Sequence, residues 1–226
     1  MEEDYKREER VREIIQKYRI DIKKLESEQE KLAKSLEIKD STDFSKLVKI
    51  GGFSNAFSQN KIISAAVVLD SEMEILEQKY FSDKVRFPYL SGFRAYRELP
   101  AMASCFDLLE DKPEVVFIFG HGISHPRLGL ASHFSLSTGI PSIGVSESLL
   151  IGDVEGENVF YNKKVIAKVL NIKPGSKPLY VSPGNLISMN SAYTLAKKFV
   201  KLPHKLPEPL HLAHKYSKQV AREISV

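Results

Sequence analysis

Residues 114–134 read EVVFIFGHGISHPRLGLASHF and carry the clearest structural signal in the chain. Residues 114–119 are almost wholly apolar, which is typical of a strand buried on both faces of a sheet. Two glycines around His121 then mark a turn, and we predict a helix over residues 125–138. The short apolar run PSIGV at residues 141–145 predicts a second buried strand. A strand, a helix and another strand at this spacing indicate a right-handed crossover and parallel pairing.

Upstream of this unit the pattern favours antiparallel strands. Residues 47–57, 61–69 and 74–81 are short and rich in β-forming residues, and Gln59 with Asn60 provides a hairpin turn between the first two. Three antiparallel strands followed by alternating strands and helices is the element order of the ribonuclease H-like fold. We therefore predict an α/β protein with a ribonuclease H-like mixed β-sheet flanked by helices.

Further elements complete the predicted sheet and its flanks. A helix is expected over residues 93–109, and edge strands over residues 157–181. Two more helices are expected at residues 187–200 and 208–224, the last of them started by Pro209.

The N-terminal segment has a different, helical periodicity. Its apolar residues recur at alternating steps of four and three, with Gln29 filling one polar gap. They are Val11, Ile15, Tyr18, Ile22, Leu25, Leu32 and Leu36. This heptad seam predicts one long amphipathic helix within residues 1–40, followed by a domain over residues 41–226. The seam either docks on that domain or pairs with a second copy in a homodimer; docking is favoured because short heptad runs usually form one face of a packed helix.

Charge is distributed unevenly along the 226 residues, whose formal net charge is +4. Residues 161–226 hold 12 basic and only 2 acidic residues. This balance is expected of a surface that meets a polyanion such as nucleic acid. A solvated lysine-rich face explains the same balance equally well.

Cysteine usage and hydropathy exclude several protein classes. The single cysteine, Cys105, rules out an internal disulfide and a cysteine-based zinc site, and its apolar surroundings indicate a buried, inert thiol. No apolar run approaches the roughly 18 residues of a membrane span, and the first residues lack the apolar core of a signal peptide. We therefore expect a cytoplasmic protein without a membrane partner.

Four segments, in fixed order, carry a resemblance to a known family. They are residues 87–98 (FPYLSGFRAYRE), 120–133 (GHGISHPRLGLASH), 181–184 (VSPG) and 206–214 (LPEPLHLAH). In this order, over residues 47–220, the sequence resembles endonuclease V, a family that nicks nucleic acid near deaminated purines such as inosine. The resemblance implies a ribonuclease H-like active centre in which carboxylates hold Mg²⁺.

The resemblance also assigns substrate-binding roles to two of these segments. It implies a strand-separating wedge, which consists here of Pro88, Tyr89, Leu90 and Ser91. A proline-led turn with an aromatic tip is suited to insertion between bases. It further implies a pocket for the extruded hypoxanthine, lined by Gly92, Gly120, His121, Gly122 and His125. The glycines around His121 indicate exposed backbone amides that a planar base can approach closely.

At the metal centre the sequence departs from the family pattern. The glutamate and the histidine of the family are present as Glu98 and His214, which we take as catalytic remnants. The two expected aspartates are replaced by Ser54 and Phe119, and neither strand offers another aspartate nearby. A single carboxylate, Glu98, is at most a weak ligand for Mg²⁺. A different site for a softer metal, built by His121 and His125 near Glu98, is an alternative.

Three functions are consistent with these features. The first is a protein that binds deaminated purine sites in DNA or RNA, its catalysis lost or impaired. The second is an active endonuclease that requires Mg²⁺ and cleaves the second phosphodiester on the 3′ side of the lesion. The third is a structural or assembly protein that dimerises through its N-terminal heptads.

Overall fold

The computed structural model describes residues 2–173 and 175–224, with side chains from residue 8 onward. This part of the chain forms six α-helices and nine β-strands. The helices are α1 (Glu2–Tyr18), α2 (Ile22–Ala33), α3 (Arg94–Asp107), α4 (Leu130–Thr138), α5 (Met189–Lys198) and α6 (Glu208–Glu223). The strands are β1 (Ile50–Ser58), β2 (Lys61–Leu69), β3 (Ile75–Lys84), β4 (Val115–Phe119), β5 (Ser142–Ser146), β6 (Asp153–Glu155), β7 (Asn158–Tyr161), β8 (Lys164–Leu170) and β9 (Leu179–Asn185).

These strands form one mixed sheet in the order β3-β2-β1-β4-β5-β9-β8-β7-β6. The pairs β1–β4 and β4–β5 are parallel, and β1, β2 and β3 form the predicted antiparallel meander. The prediction of a ribonuclease H-like mixed sheet is thus confirmed. In the β1–β4 ladder Phe53 lies opposite Ile118. The residues that follow them, Ser54 and Phe119, therefore come side by side at the carboxyl end of β4.

Each face of the central strands is buried under helices. Val116 and Ile118 pack with Phe53 and Phe134 beneath α3 and α4. The alternate residue Phe117 packs on the opposite face, with side chains of α5 and α6. Because side chains alternate along a strand, Phe119 also belongs to the α6 face. This alternation directs Phe119 toward the helix that carries His214.

The segment between β4 and α4 is a loop, so the predicted helix start at residue 125 is wrong. The loop folds back on itself: a Cβ on Gly129 would lie only 2.1 Å from the carbonyl oxygen of His121. That same carbonyl accepts a hydrogen bond from the amide of Ala131 at 3.0 Å, within the first turn of α4. The glycine is needed for this close approach, and the helix begins only at Leu130.

The predicted single N-terminal helix is two helices. Arg19 has a positive φ of 50°, and the side chain of Asp21 then caps α2 by accepting from the amide of Lys24 at 3.0 Å. In α2 the polar seam residue Gln29 is fully buried; its amide nitrogen donates to the carbonyl of Gly92 at 3.1 Å. The seam of α2 therefore docks on the domain. A boundary between residues 40 and 41 remains a prediction.

The buried thiol and the lack of a membrane span were both predicted, and each can be examined in residues 2–173 and 175–224. Cys105 is buried there, and burial raises the pKa of its thiol to about 12, which agrees with an inert thiol. None of the helices in this part of the chain combines the length and the hydropathy that a bilayer crossing requires.

Candidate functional site

An apolar contact occupies the end of β4. The ring of Phe119 stacks on that of His214, with 5.5 Å between ring centroids and 29° between the planes. Ser54, only 2% exposed, lies 3.1 Å from Nδ1 of His214 through its hydroxyl oxygen. Burial lowers the pKa of His214, and the charge of Lys218 adds to this effect. The imidazole is therefore held neutral between a hydroxyl and a phenyl ring.

Glu98 is held by three hydrogen bonds that occupy both of its oxygens. Arg94, one turn earlier on α3, donates from Nε to Oε1 at 2.7 Å and from Nη2 to Oε2 at 2.9 Å. Asn55 of β1 donates from Nδ2 to Oε2 at 2.8 Å. Nη2 of Arg94 also reaches the carbonyl of Phe119 at 3.2 Å. The carboxylate is 2% exposed, so this pairing replaces the water that it lost on burial.

Arg94 keeps its positive charge in this setting. Burial acts to lower the pKa of its guanidinium, but the hydrogen bonds and the negative charge of Glu98 outweigh burial and raise it. A bidentate guanidinium–carboxylate pair is among the strongest polar contacts in proteins. The centre thus contains its own fixed cation.

A cavity of about 110 Å³ opens beside this ion pair. It is of the same order as the ~150 Å³ cavity that accepts a benzene ring. Its lining combines predicted pocket and wedge residues with Arg94 and an apolar wall: Tyr89, Ser91, Gly92, Arg94, Ala95, His121, His125, Leu128, Leu130, Ser148 and Leu150. The structure therefore brings Gly92, His121 and His125 together around one space.

Gly120 and Gly122 are outside the lining of this cavity. The amide of Gly120 donates to the carbonyl of Val145, and that of Gly122 to the hydroxyl of Ser182, both at 2.9 Å. The expectation that these amides are exposed to a base is thus wrong. Gly122 has a packing role instead, because a Cβ there would lie 2.1 Å from the carbonyl oxygen of Pro183.

The four predicted wedge residues differ in exposure. Tyr89 is 62% exposed, Ser91 is exposed and Pro88 is half-buried. Leu90 is buried in the domain, and its carbonyl accepts from the amide of Phe93. Leu90 is thus packed inside the domain and not exposed for insertion between bases, whereas Tyr89 is the exposed ring of this segment.

The two pocket histidines are neutral at physiological pH. Burial is the main cause that lowers the pKa of His121, whose Nε2 lies 2.9 Å from the carbonyl oxygen of Ser148. Burial also lowers the pKa of His125 to about 3, and its Nδ1 accepts from the amide of Arg127. Since Nδ1 is engaged in this way, His125 is not poised as a metal ligand through that atom.

The alternative of a softer metal site on the two histidines is not supported. Within the described residues, no group of three or more His, Cys, Asp or Glu side chains is arranged to hold a metal ion. Glu98, the carboxylate that this alternative requires, is already bound by Arg94.

Comparison with known proteins identifies the family. The endonuclease V family model matches residues 30–215. This chain belongs to the endonuclease V family. Endonuclease V of Thermosipho melanesiensis is 36% identical to it over 185 residues, 78% of this chain and 81% of that protein. Endonuclease V of Archaeoglobus fulgidus is 32% identical over 214 residues, 91% and 96% of the two chains.

A solved relative extends this agreement to three dimensions. The structure of endonuclease V from Ciona intestinalis, in complex with a 24mer DNA that contains an inosine followed by a ribo-adenosine, matches with a TM-score of 0.82. The two proteins are 27% identical, and the match covers 90% of this chain and 98% of that one. The endonuclease V fold therefore extends over most of this chain.

Endonucleases V are metal-dependent nucleases, but the residues at this centre do not fit a magnesium ion. Mg²⁺ requires nearly octahedral oxygen coordination, in proteins commonly with carboxylates. Here Ser54 faces His214 and Phe119 supplies an apolar ring. Both oxygens of the remaining carboxylate, Glu98, accept from the Arg94 guanidinium. The one carboxylate left at this centre is therefore already paired with the Arg94 cation.

Arg94 and Asn55 are the two residues of this centre that the sequence analysis did not single out. The signal for Arg94 is its position four residues before Glu98 on a predicted helix, where opposite charges face each other. Asn55 shows no comparable signal, because its contact with Glu98 depends on how β1 and α3 pack.

Proposed function

We propose that this protein binds nucleic acid at deaminated purines, inosine or hypoxanthine in DNA or RNA, and does not hydrolyse the phosphodiester by a magnesium mechanism. The observation that carries the proposal is the bidentate Arg94–Glu98 pair beside the cavity. The cavity has a lining suited to a planar base, while the neighbouring carboxylate, Glu98, is already paired with the Arg94 cation.

Recognition of a base is supported by the residues around the cavity. The Ciona relative was solved with an inosine-containing DNA, and this chain shares its fold. His121, His125 and the apolar wall offer neutral surfaces to a ring, and the exposed ring of Tyr89 offers a stacking platform at the rim. Stacking of a base on an aromatic side chain contributes about 1–3 kcal/mol.

Phosphate binding is supported by one face of α6. His211, Lys215, Lys218 and Arg222 follow at steps of four, three and four, so they lie on the same side of the helix. Lys215, Lys218 and Arg222 are exposed. The charge of Lys218 is close enough to His214 to lower its pKa, so this basic face borders the centre. Its position favours contact with a polyanion over a merely solvated lysine-rich face.

An active magnesium-dependent endonuclease that cleaves the second phosphodiester 3′ to the lesion is the second candidate. Family membership and the presence of Glu98 and His214 favour it. The Phe119 ring and the occupied oxygens of Glu98 oppose it, because phosphodiester hydrolysis needs an acceleration of at least about 10⁶-fold. Magnesium is part of the function only under this second candidate.

Assembly through the N-terminal helices is a weaker third candidate. The seam of α2 is used for docking, which leaves α1 with exposed Val11 and Tyr18 as the surface for pairing with a second copy. Sedimentation of a chain that lacks residues 1–20 tests this candidate. If the number of chains per particle is the same as in the full-length protein, α1 is not the dimer contact. We place the protein in the cytoplasm, as expected from its cysteine content.

Two assays test the main proposal. Fluorescence anisotropy with inosine-containing and matched adenine-containing oligonucleotides should show tighter binding of inosine, both with Mg²⁺ and with EDTA. An incision assay on the same inosine oligonucleotide with Mg²⁺ should show no cleavage above background. Cleavage that requires Mg²⁺ and disappears in Glu98→Ala would establish the second candidate instead.

A further inference from the structure

One edge of the Arg94 guanidinium has no hydrogen-bond partner among the described residues. Nε and Nη2 bind Glu98 and the carbonyl of Phe119, whereas Nη1 makes no hydrogen bond within residues 2–173 and 175–224. Nη1 lies beside Gly120, at 3.6 Å from the place where a Cβ would stand. Arg94 itself lines the cavity. Arg94, which lines the cavity, therefore keeps two N–H donors that no described residue engages.

The other side chains around the cavity carry no such charge. His121 and His125 are neutral because burial lowers their pKa values, and leucines supply an apolar part of the lining. Among the described residues that line the cavity, Arg94 is the one cationic side chain. A base in the cavity would therefore meet one strong, charged donor, and its acceptor atoms decide how well it binds.

Purines differ in the atoms that they offer to such a donor. A 6-oxopurine presents two neighbouring acceptors, O6 and N7, whereas adenine presents the N6 amino donor beside N7. A guanidinium edge matches the first pattern and opposes the second. We propose that Arg94 determines specificity, donating from Nη1 to the O6/N7 edge of the bound base and so selecting 6-oxopurines over adenine. This inference rests on the proposed function.

Glu98 acquires a new role in this arrangement. Its two oxygens accept from Nε and Nη2 of the guanidinium, and Asn55 also donates to Oε2 of the carboxylate. The plane of the guanidinium, and with it the direction of Nη1, is thereby set. Glu98 is a positioning residue that acts through Arg94.

The test compares inosine with nebularine, a purine that lacks the 6-oxygen, in otherwise identical oligonucleotides. The wild-type protein should bind inosine about tenfold more tightly, the size of one specific base contact. Arg94→Lys keeps a positive charge next to Glu98 but lacks the several N–H donors of the guanidinium. The double variant Arg94→Gln/Glu98→Gln removes both charges. In both variants the ratio of the two dissociation constants should fall close to one.

Arg86→Lys is the matched control, since Arg86 is exposed, pairs with Asp83 and lies outside the cavity lining. It should keep the wild-type ratio. Circular dichroism and thermal melting establish that each variant is folded. An undiminished inosine preference in both folded Arg94 variants overturns the inference and leaves the proposed function standing. In the wild-type protein, equal affinity for inosine and nebularine overturns the inference alone, and equal affinity for inosine and adenine overturns the proposed function as well.

Discussion

Phe119 and His214 stack on one another across β4 and α6, with ring centroids 5.5 Å apart. The contact lies at the strand end where the family resemblance places an aspartate. On the other side of it, the carbonyl of Phe119 accepts from Arg94, which also neutralises Glu98. At this centre, protein contacts therefore engage Ser54, the carbonyl of Phe119 and both oxygens of Glu98.

Restoring the two aspartates should not be enough to restore metal binding. In Ser54→Asp/Phe119→Asp the guanidinium of Arg94 still occupies both oxygens of Glu98. We expect the triple variant with Arg94→Leu to bind Mn²⁺ at least tenfold more tightly than the double variant, because three carboxylates are then free to act as ligands. Electron paramagnetic resonance titration measures both affinities. Equal affinities would show that Arg94 does not block the site.

Removing Arg94 should destabilise the fold through Glu98. Arg94→Met leaves a carboxylate that is 2% exposed without its charged partner, which we expect to cost about 2 kcal/mol. Adding Glu98→Gln should recover part of that loss, since the buried charge is then gone. Urea denaturation of the single and double variants measures the coupling. Strictly additive losses would contradict a direct interaction between the two side chains.

Stability should fall as the pH drops below about 6.5. Burial holds the pKa of His125 at about 3, well below its unfolded value near 6.5, so below pH 6.5 the unfolded chain binds a proton that the folded chain does not. His125 alone should contribute up to about 1.4 kcal/mol per pH unit to this loss. In His125→Asn, the free energy of unfolding should depend less on pH between pH 6.5 and 5. Most carboxylates titrate below this range. Denaturation at several pH values measures it, and an unchanged slope would be inconsistent with a buried neutral imidazole.

The basic face of α6 should supply affinity without sequence preference. In Lys215→Ala/Lys218→Ala we expect inosine and adenine oligonucleotides to be weakened equally, because phosphate contacts carry no base information. The slope of log K against log salt should fall by about 0.9 for each lost contact to duplex DNA. Anisotropy titrations at several salt concentrations provide both values. A loss confined to inosine would instead place these lysines at the base.

The sequence predicts the sheet well and the centre only partly, for physical reasons. Residues of β4 are apolar on both faces, so the strand and its parallel neighbours follow from pattern alone. The positive φ of Arg19 has no signal in the sequence, because non-glycine residues adopt this conformation only rarely. Gly122 suggests an exposed turn, yet its need for glycine comes from the carbonyl of Pro183 on β9. Only tertiary packing reveals such contacts.

The ion pair in the centre is likewise only partly predictable from the sequence. The replacement of aspartates by Ser54 and Phe119 is visible in the sequence and predicts the loss of metal ligands. In the sequence, the ion pair between Arg94 and Glu98 is visible only as a spacing of four residues. Such pairs are common on exposed helices and stabilise them only slightly. Burial of Glu98 makes this spacing significant, and burial is known only from the structure.

The most direct measurement is the ratio of the dissociation constants for matched inosine and adenine oligonucleotides in EDTA. Recognition by protein groups alone, with Arg94 as the cation, predicts a ratio that favours inosine by about tenfold or more and is unchanged by Mg²⁺. Equal and negligible affinity for the two oligonucleotides, or a preference that appears only when Mg²⁺ is added, would contradict the account.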